Sequence, residues 1–440
     1  MGKRIIVAGG GHGGIACAGL LAKAGFDVTV YEQNSRDRMG YDWTDIFDPK
    51  SLALAGLPFP DKDRYEIKNN MTFVPPAGRV KITQDVPLEQ AEIKMERSDI
   101  YALLIETAES AGVQFVFDCR IEAPLLAGDR VIGIKTDKGD FTADMVIDAC
   151  GCESPVRAGL PPCCGIQQHP AQYEKFYVYR AFYNCPEGAV AEDKYKVYLL
   201  PDGRLGIGWV ASEGDYTDLL IGEFEPFTQE QAAKKAADFR RDNPVLGTDR
   251  LRGGQMVQIP VRQPLSVMVA DGYAAIGDSA FMTVPIIGSG IANAFRASAM
   301  LAEVIQNDAT ETYSAETLWP YQRQYYRKLG AGLAPLALVK LMLTKITPQQ
   351  LDYLFETGML NQQDMTFTAD STSITDYIHI NGSLPAKGVA LIKDRKLTLL
   401  IAQLGKKIAA AAAVCAALPR HYSRRAVLQW AAKYDAIFKL

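Results

Sequence analysis

The chain has 440 residues, 48% of them hydrophobic, enough for a large buried core and for two or three domains. A net charge of −4 and a pI near 5.8 exclude a nucleic-acid binder that works through the charge of the whole chain. The charge is unevenly spread: residues 391–440 hold ten Lys or Arg against two acids, a balance of +8, and the remainder holds 37 basic against 49 acidic side chains, −12.

A strand-like run begins at Arg4 with no cleavable leader pattern before it. Apolar runs such as Ile408–Leu418, 11 residues, are too short to cross a bilayer, so the expectation is a cytoplasmic protein. The eight cysteines show neither paired CxxC knuckles nor Cys/His ligand spacing, so no metal site is expected and the thiols should be reduced and mostly buried. Cys150-x-Cys152 and the vicinal Cys163–Cys164 read as packing rather than redox pairs.

Arg4–Ala8 reads as a strand, a glycine turn follows, about 14–24 reads as a helix, and Asp27–Tyr31 as a second strand. This is a β-α-β unit with parallel strands. Gly9, Gly11 and Gly14 form G-x-G-x-x-G across the turn. They allow a tight turn, close approach of a pyrophosphate, and helix–strand contact, while the helix N-terminus offers N–H groups to an anion. Glu32 closes the second strand, where a carboxylate accepts ribose hydroxyls and disfavours the 2′-phosphate of NADP. NAD and FAD both remain open at this point. His12 inside the loop reads as solvent-facing or beside the pyrophosphate rather than as a catalyst; His169, His379 and His421 read as core or surface.

Further on, 98–112 has helical spacing, 113–121 reads as a strand, and 129–151 reads as a hairpin ending in the buried strand Met145–Ala149. Residues 171–211 are aromatic and β-branched, with turns at 186–188 and 201–203, which predicts a mostly antiparallel inserted sheet. A charged helical stretch over 228–242 precedes a buried strand in 273–279. From about 291 the chain reads as helical, apart from a polar segment near 362–387.

The strand at 273–279 ends in Gly277-Asp278, and Gly288-x-Gly290 then opens a second helix at Ile291. A carboxylate at a strand end suits ribityl hydroxyls, and a second helix N-terminus suits phosphate or the pyrimidine edge of a flavin. A simple NAD site needs neither, so FAD is the expected cofactor.

Between these lies Ala149-Cys150-Gly151-Cys152-Glu153-Ser154-Pro155-Val156-Arg157. It resembles the middle fingerprint of the flavoprotein hydroxylase and reductase superfamily, usually Ala-Asp-Gly-x-x-Ser-x-Val-Arg, with Cys150 in place of the Asp. All three fingerprints resemble that superfamily over residues 1–305. Within it the chain is similar to the geranylgeranyl reductase group, through PVRQPLSVMVADGYAAIGDSAFMTVPIIGSGIANAFRASAMLAEVI and MERSDIYALLIETAESAG. The resemblance implies cofactor contacts at Gly9, Gly11, Gly14, Glu32, Arg97, Ile121, Gly151, Asp278, Gly288, Gly290 and Ile291, and a wall over the flavin made by LPDGRLGIGWV (200–210). That group often carries a cysteine in the loop after its first β-α-β unit. Here 38–47 has none, and Tyr41, Asp42 and Trp43 are the catalytic candidates beside the flavin, against an ordinary role in packing and turns.

The expected architecture is α/β: a Rossmann-like FAD-binding domain (1–75, 95–160 and 265–308), an inserted mostly antiparallel β-sheet substrate domain (76–94 and 161–264) and a helical C-terminal domain (309–440). The expected activity is reduction of carbon–carbon double bonds in a polyprenyl or other apolar substrate by hydride from reduced FAD. A quinone-type or aromatic monooxygenase and a non-catalytic prenyl-lipid carrier are the alternatives. No second dinucleotide motif appears, so NAD(P)H visiting transiently, or reduced ferredoxin, is the expected electron donor. The C-terminal stretches 329–346 and 397–434 combine apolar faces with Lys and Arg. They read either as helices packed on the sheet with their charges in water, or as peripheral contacts with the inner face of a membrane.

Overall fold

A computed structural model describes residues 3–368, 372–373, 375 and 394–439. His379 and most of the polar segment at 362–387 lie outside them.

The first strand, Arg4–Ala8, is buried after its first residue and takes a central place in a six-stranded sheet. Met145–Asp148 pairs with it on one side and Asp27–Tyr31 on the other, both parallel. Tyr273–Ala275 and Gln114–Val116 extend the sheet outward in parallel, and Val269–Ala270 closes one edge antiparallel. The chain leaves the central strand in one direction and returns on its other side later. The loops after Ala8 and Asp148 therefore diverge at a switch point, where such sheets bind ligands. The helix starts at His12 rather than near residue 14, because Gly11 is extended (φ −68°, ψ 153°) and serves as its N-cap.

Residues 113–121 do not form one strand. Gln114–Val116 joins the parallel sheet, the chain turns through Asp118 at φ +53°, and Ile121 opens a separate three-stranded meander. A residue in the left-handed region breaks the alternation on which a continuous strand depends.

The inserted sheet has seven strands, and its long members, Lys175–Asn184, Tyr216–Glu223, Gly206–Ser212 and Arg250–Pro260, pair antiparallel. Asn70–Val74 already belongs to it, ahead of the boundary expected at residue 76, and runs parallel to Tyr195–Leu199. Glu92–Glu96, its first three residues expected in the sheet domain, pairs instead with Thr44–Phe47 in a small side ribbon. Both differences arise because partners distant in sequence decide pairing, not local composition.

One face of the seven-stranded sheet is covered by the helix Gln229–Asp242, whose Ala232, Ala236 and Phe239 pack on Leu219 and Val210. The other face is shared. Trp43 from the dinucleotide-binding side packs on Phe176, Val178 and Phe182, while Phe73, Val197, Leu205 and Trp209 pack under the C-terminal helices.

Those helices begin with Ala315–Tyr325, which passes through a π-helical turn at Tyr326–Gly330 into Ala331–Leu343. Pro348–Glu356, Gln362–Met365, Arg395–Ala416 and Arg424–Ile437 follow. Trp430 and Tyr434 set their rings 5.2 and 5.6 Å from Tyr326, which pins the last helix to the core. The apolar run near 408–418 is part of a 22-residue helix that continues through Gly405, Lys406 and Lys407. Among the described residues it is long and apolar enough to cross a membrane, as is the bent pair Ala315–Leu343 and Pro348–Glu356 if taken together. The 11-residue run understates the apolar length of this helix, because a helix counts its length across interrupting lysines.

Candidate cofactor cleft and active site

At the switch point three glycines bring two loops into contact. Gly9 has φ +87°, and a Cβ there would fall 2.7 Å from the carbonyl oxygen of Ala149. At Gly11 a Cβ would lie 2.9 Å from the same oxygen, and at Gly14 it would lie 2.5 Å from the Ala149 Cβ. The helix that follows has no side-chain cap, so no side chain satisfies its first N–H groups. Glu32 is 7% exposed and held at both oxygens: Gly10 N donates to Oε2, and Asn34 N and Nδ2 donate to Oε1, each at 2.8 Å. Ile121 opens the neighbouring meander, just after Cys119 donates its N–H to the Glu32 carbonyl at 2.8 Å.

A second helix N-terminus abuts the first. Ile291–Gln306 starts after Gly290, again with no side-chain cap. A Cβ at Gly13 would sit 3.0 Å from the Ala294 Cβ, so the two uncapped helices meet side by side. Asp278, in the short helical turn Gly277–Ala280, accepts from Thr283 Oγ1 at 3.0 Å, and burial pushes its carboxyl up. Gly288 adopts φ +71° in the turn that delivers Gly290. Gly151 has φ +86° and donates to Ser279 Oγ at 2.8 Å, tying the middle loop to the turn that carries Asp278.

Between the two ends lies a group of aromatic and charged side chains. Arg97, at the start of the helix Arg97–Ser110, grips Asp45 with Nε and Nη2, both at 2.6 Å. Burial opposes the charge on each, and each partner overrides it, so the guanidinium is pushed up and the carboxyl held down. The Arg97 guanidinium lies 5.2 Å from the Tyr41 ring and 5.5 Å from the Trp43 ring. Arg180 also lies 5.6 Å from the Trp43 ring and is held by Asp218 and by the carbonyl and hydroxyl of Thr44. The Trp43 indole N–H is buried without a partner.

His12 is not solvent-facing. Its ring stacks on Tyr101 at 4.5 Å, and its buried Nε2 has no partner. Burial, with Arg97 adding, lowers its pKa to about 3, so the imidazole is neutral near pH 7. Tyr41 lines the opening, and burial, against Arg97, pushes its phenol up. Asp42 turns the other way and accepts from Arg252 Nη1 at 2.5 Å and Gly253 N at 2.9 Å, tying the loop to the inserted sheet. Cys150, in place of the usual Asp, donates its thiol to the Ala8 carbonyl at 3.2 Å, so that position carries no charge into the cleft.

The structure thus gathers Gly9, Gly11, Gly14, Glu32, Arg97, Tyr41, Trp43, Asp278 and Ile291 around one cleft and leaves Asp42 outside it. Asp45, Arg180 and Asp218 went unread in the sequence, whereas Trp209 lies in the 200–210 stretch expected to wall the flavin. None of those three sits in a motif, and only the partner across the fold reveals each. What the cleft can hold is an extended dinucleotide: a carboxylate with fixed geometry at one end, two helix N-termini for a dianion, and a buried carboxyl at the other end.

Comparison with known proteins agrees. A family described as NAD(P)-binding Rossmann-like domain matches residues 7–53. The chain is 24% identical over 387 residues to the digeranylgeranylglycerophospholipid reductase of Haloferax volcanii, covering 80% of this chain and 88% of that one. Its fold matches a geranylgeranyl bacteriochlorophyll reductase-like protein from Thermoplasma acidophilum with a TM-score of 0.73, at 19% identity, over 90% of this chain and 99% of that one. A probable FAD-dependent monooxygenase from Pseudomonas aeruginosa matches at a TM-score of 0.60, 20% identity, over 81% and 100%. The chain is an enzyme, an oxidoreductase on the flavoprotein reductase fold, related to the geranylgeranyl reductase group.

Proposed function

We propose that this protein binds FAD and reduces carbon–carbon double bonds of a polyprenyl or similar apolar chain. The observation that supports this most is the joining of the cofactor cleft, through Trp43, to an apolar layer on the same sheet face. An apolar substrate needs such a dry neighbour, and a polar one does not.

In this reading Glu32 accepts the adenosine ribose hydroxyls, the backbone at Ile121 meets the adenine, and the N-termini at His12 and Ile291 face the pyrophosphate and the flavin pyrimidine edge. Gly9, Gly11, Gly14, Gly151, Gly288 and Gly290 leave room for the backbone to approach. Asp278 takes ribityl hydroxyls, and Arg97 orients the cofactor from within its pair with Asp45. The unpartnered Nε2 of His12 and Nε1 of Trp43 are the kind of buried polar atoms a bound group completes. Reduced FAD supplies the hydride that an alkene accepts. Trp43 and Trp209 exclude water from the reacting carbons, and Tyr41 holds a proton at Oη, its phenol neutral at pH 7. Electrons come from visiting NAD(P)H or from a ferredoxin-like protein.

Anaerobic reduction of the bound flavin, followed by incubation with a digeranylgeranyl phospholipid in detergent, tests the reading. Mass spectrometry should find products heavier by two hydrogens without dioxygen. Products that form only with dioxygen and gain one oxygen would overturn it in favour of a monooxygenase.

A further inference from the structure

The helix Arg395–Ala416 has an unusual balance of composition and burial. Asp394 caps it, accepting from Lys396 N at 2.9 Å and Leu397 N at 3.0 Å. At 100° per residue, Leu397, Leu400, Ile401, Leu404, Ile408 and Ala411 fall on one face, and that face packs inward. The opposite face carries Leu399, 63% exposed, with Ala402, Ala409, Ala410 and Ala413 around Lys406. Only 11% of the most apolar stretch is buried, although the helix is apolar enough to sit in hydrocarbon.

The surrounding charge points to what covers it. Lys396, Lys406, Lys407, Arg420, Arg425 and Lys433 are exposed, and none has an acidic partner among the described residues. Arg424 alone in this region reaches one, Asp129 at 3.6 Å. On a chain whose other residues sum to −12, a +8 segment with unpaired cations is complementary to an anionic surface. A membrane-spanning arrangement would drag Lys406 and Lys407 to mid-bilayer and strip Leu397, Leu400 and Ile401 from the protein core. Lying in the surface plane keeps both arrangements intact.

The inward face leads to the cleft. Leu397, Leu400 and Ile401 pack in one apolar layer with Met342, Leu205 and Trp209. Arg180 lies 5.6 Å from both Trp209 and Trp43, so this layer ends at the aromatic wall beside Arg97.

We propose that Arg395–Ala416 docks in the plane of an anionic lipid bilayer, with Leu399 and its alanines at the acyl boundary and the lysines at lipid phosphates. The layer from Leu400 to Trp209 is then the route by which a membrane-held prenyl chain reaches the cleft; this second half rests on the function proposed above.

The flavin-loaded full-length protein, sedimented with phosphatidylcholine vesicles with and without phosphatidylglycerol, tests the docking. It should pellet with the anionic vesicles at low salt and at least tenfold less with the neutral ones. Lys406→Glu with Lys407→Glu, and separately Leu399→Glu, should each cut binding about tenfold, with flavin absorbance and unfolding temperature unchanged. Both variants should still reduce a short, water-soluble prenyl alcohol while losing turnover of a vesicle-embedded lipid. Wild type left in the supernatant, or variants that bind as wild type does, overturns the docking. A dimer in light scattering that Leu399→Glu splits overturns it too, since a second copy would then cover the face. If variants released from vesicles keep full turnover of embedded lipid, the route is overturned. Failure to reduce either substrate, with vesicle binding intact, counts against the proposed function instead.

Discussion

The cofactor cleft lies at the switch point of the parallel sheet and the apolar layer on one face of the inserted sheet, and they are built by opposite means. The cleft depends on single positions where one atom decides the outcome: a glycine at 14, a carboxylate at 32, an uncapped helix start at 291. The layer depends on bulk, with Phe73, Val197, Leu205, Leu354, Leu397 and Trp209 interchangeable in kind and fixed only by fit. One region is shaped by geometry and charge, and the other by exclusion of water. The two should therefore fail differently.

The sharpest break is expected at Gly14. A Cβ there already falls 2.5 Å from the Ala149 Cβ and 2.9 Å from Val7 Cγ1, so Gly14→Val should cost about 3 kcal/mol or more and leave the protein colourless. Thermal unfolding and the flavin-to-protein absorbance ratio read both effects, and Gly14→Ala with Ala149→Gly should recover part of each. A stable, yellow Gly14→Val protein would show that the close contact is not what shapes the cleft.

A middle-sized effect is expected in the layer. Leu397 is fully buried, and Leu397→Ala should cost about 2–5 kcal/mol in chemical denaturation. The flavin ratio should stay at the wild-type value, because Leu397 packs in the layer and, among the described residues, makes no contact with the glycine loops or with Glu32 and Asp278. Loss of flavin in step with stability would show that the two regions are a single unit.

The smallest effect at neutral pH, absent there and growing only in acid, concerns His12. Its folded-state pKa, about 3, lies below the unfolded value near 6.5. The unfolded chain therefore takes up the proton first. The contribution of a neutral His12 is complete above pH 6.5 and is lost as pH falls toward 3. In flavin-free protein the unfolding free energy should decline over that window, and His12→Gln should decline less. Parallel curves for the two proteins would remove His12 from the acid sensitivity of the cleft.

Much of the cleft was legible in the sequence because its parts obey spacing. A tight turn needs glycine, a helix must follow a strand at a set distance, and a ribose needs an acid at the strand end. Thus Gly9, Gly11, Gly14 and Glu32 could be placed at once, and Asp278 with Gly288-x-Gly290 extended the site along a second strand and helix. Arg97 was legible only as half of a pair. Asp45, its partner, lies 52 residues away on a ribbon that local pattern did not predict. Likewise Asp42 and Trp43 are neighbours in sequence, yet alternation along the chain sends one to Arg252 and the other into the core.

The sequence by itself determined the parallel dinucleotide unit, the inserted sheet and the basic helical end, since these follow from local periodicity, glycine geometry and charge count. Only the tertiary structure decided that Trp43 meets both Arg97 and Arg180, that His12 is stacked and neutral, and that a 22-residue helix roofs an apolar layer that reaches Trp209. The physical reason is range. Turns and helices are fixed by neighbours within a few residues, whereas burial and ion pairing depend on which distant segments meet.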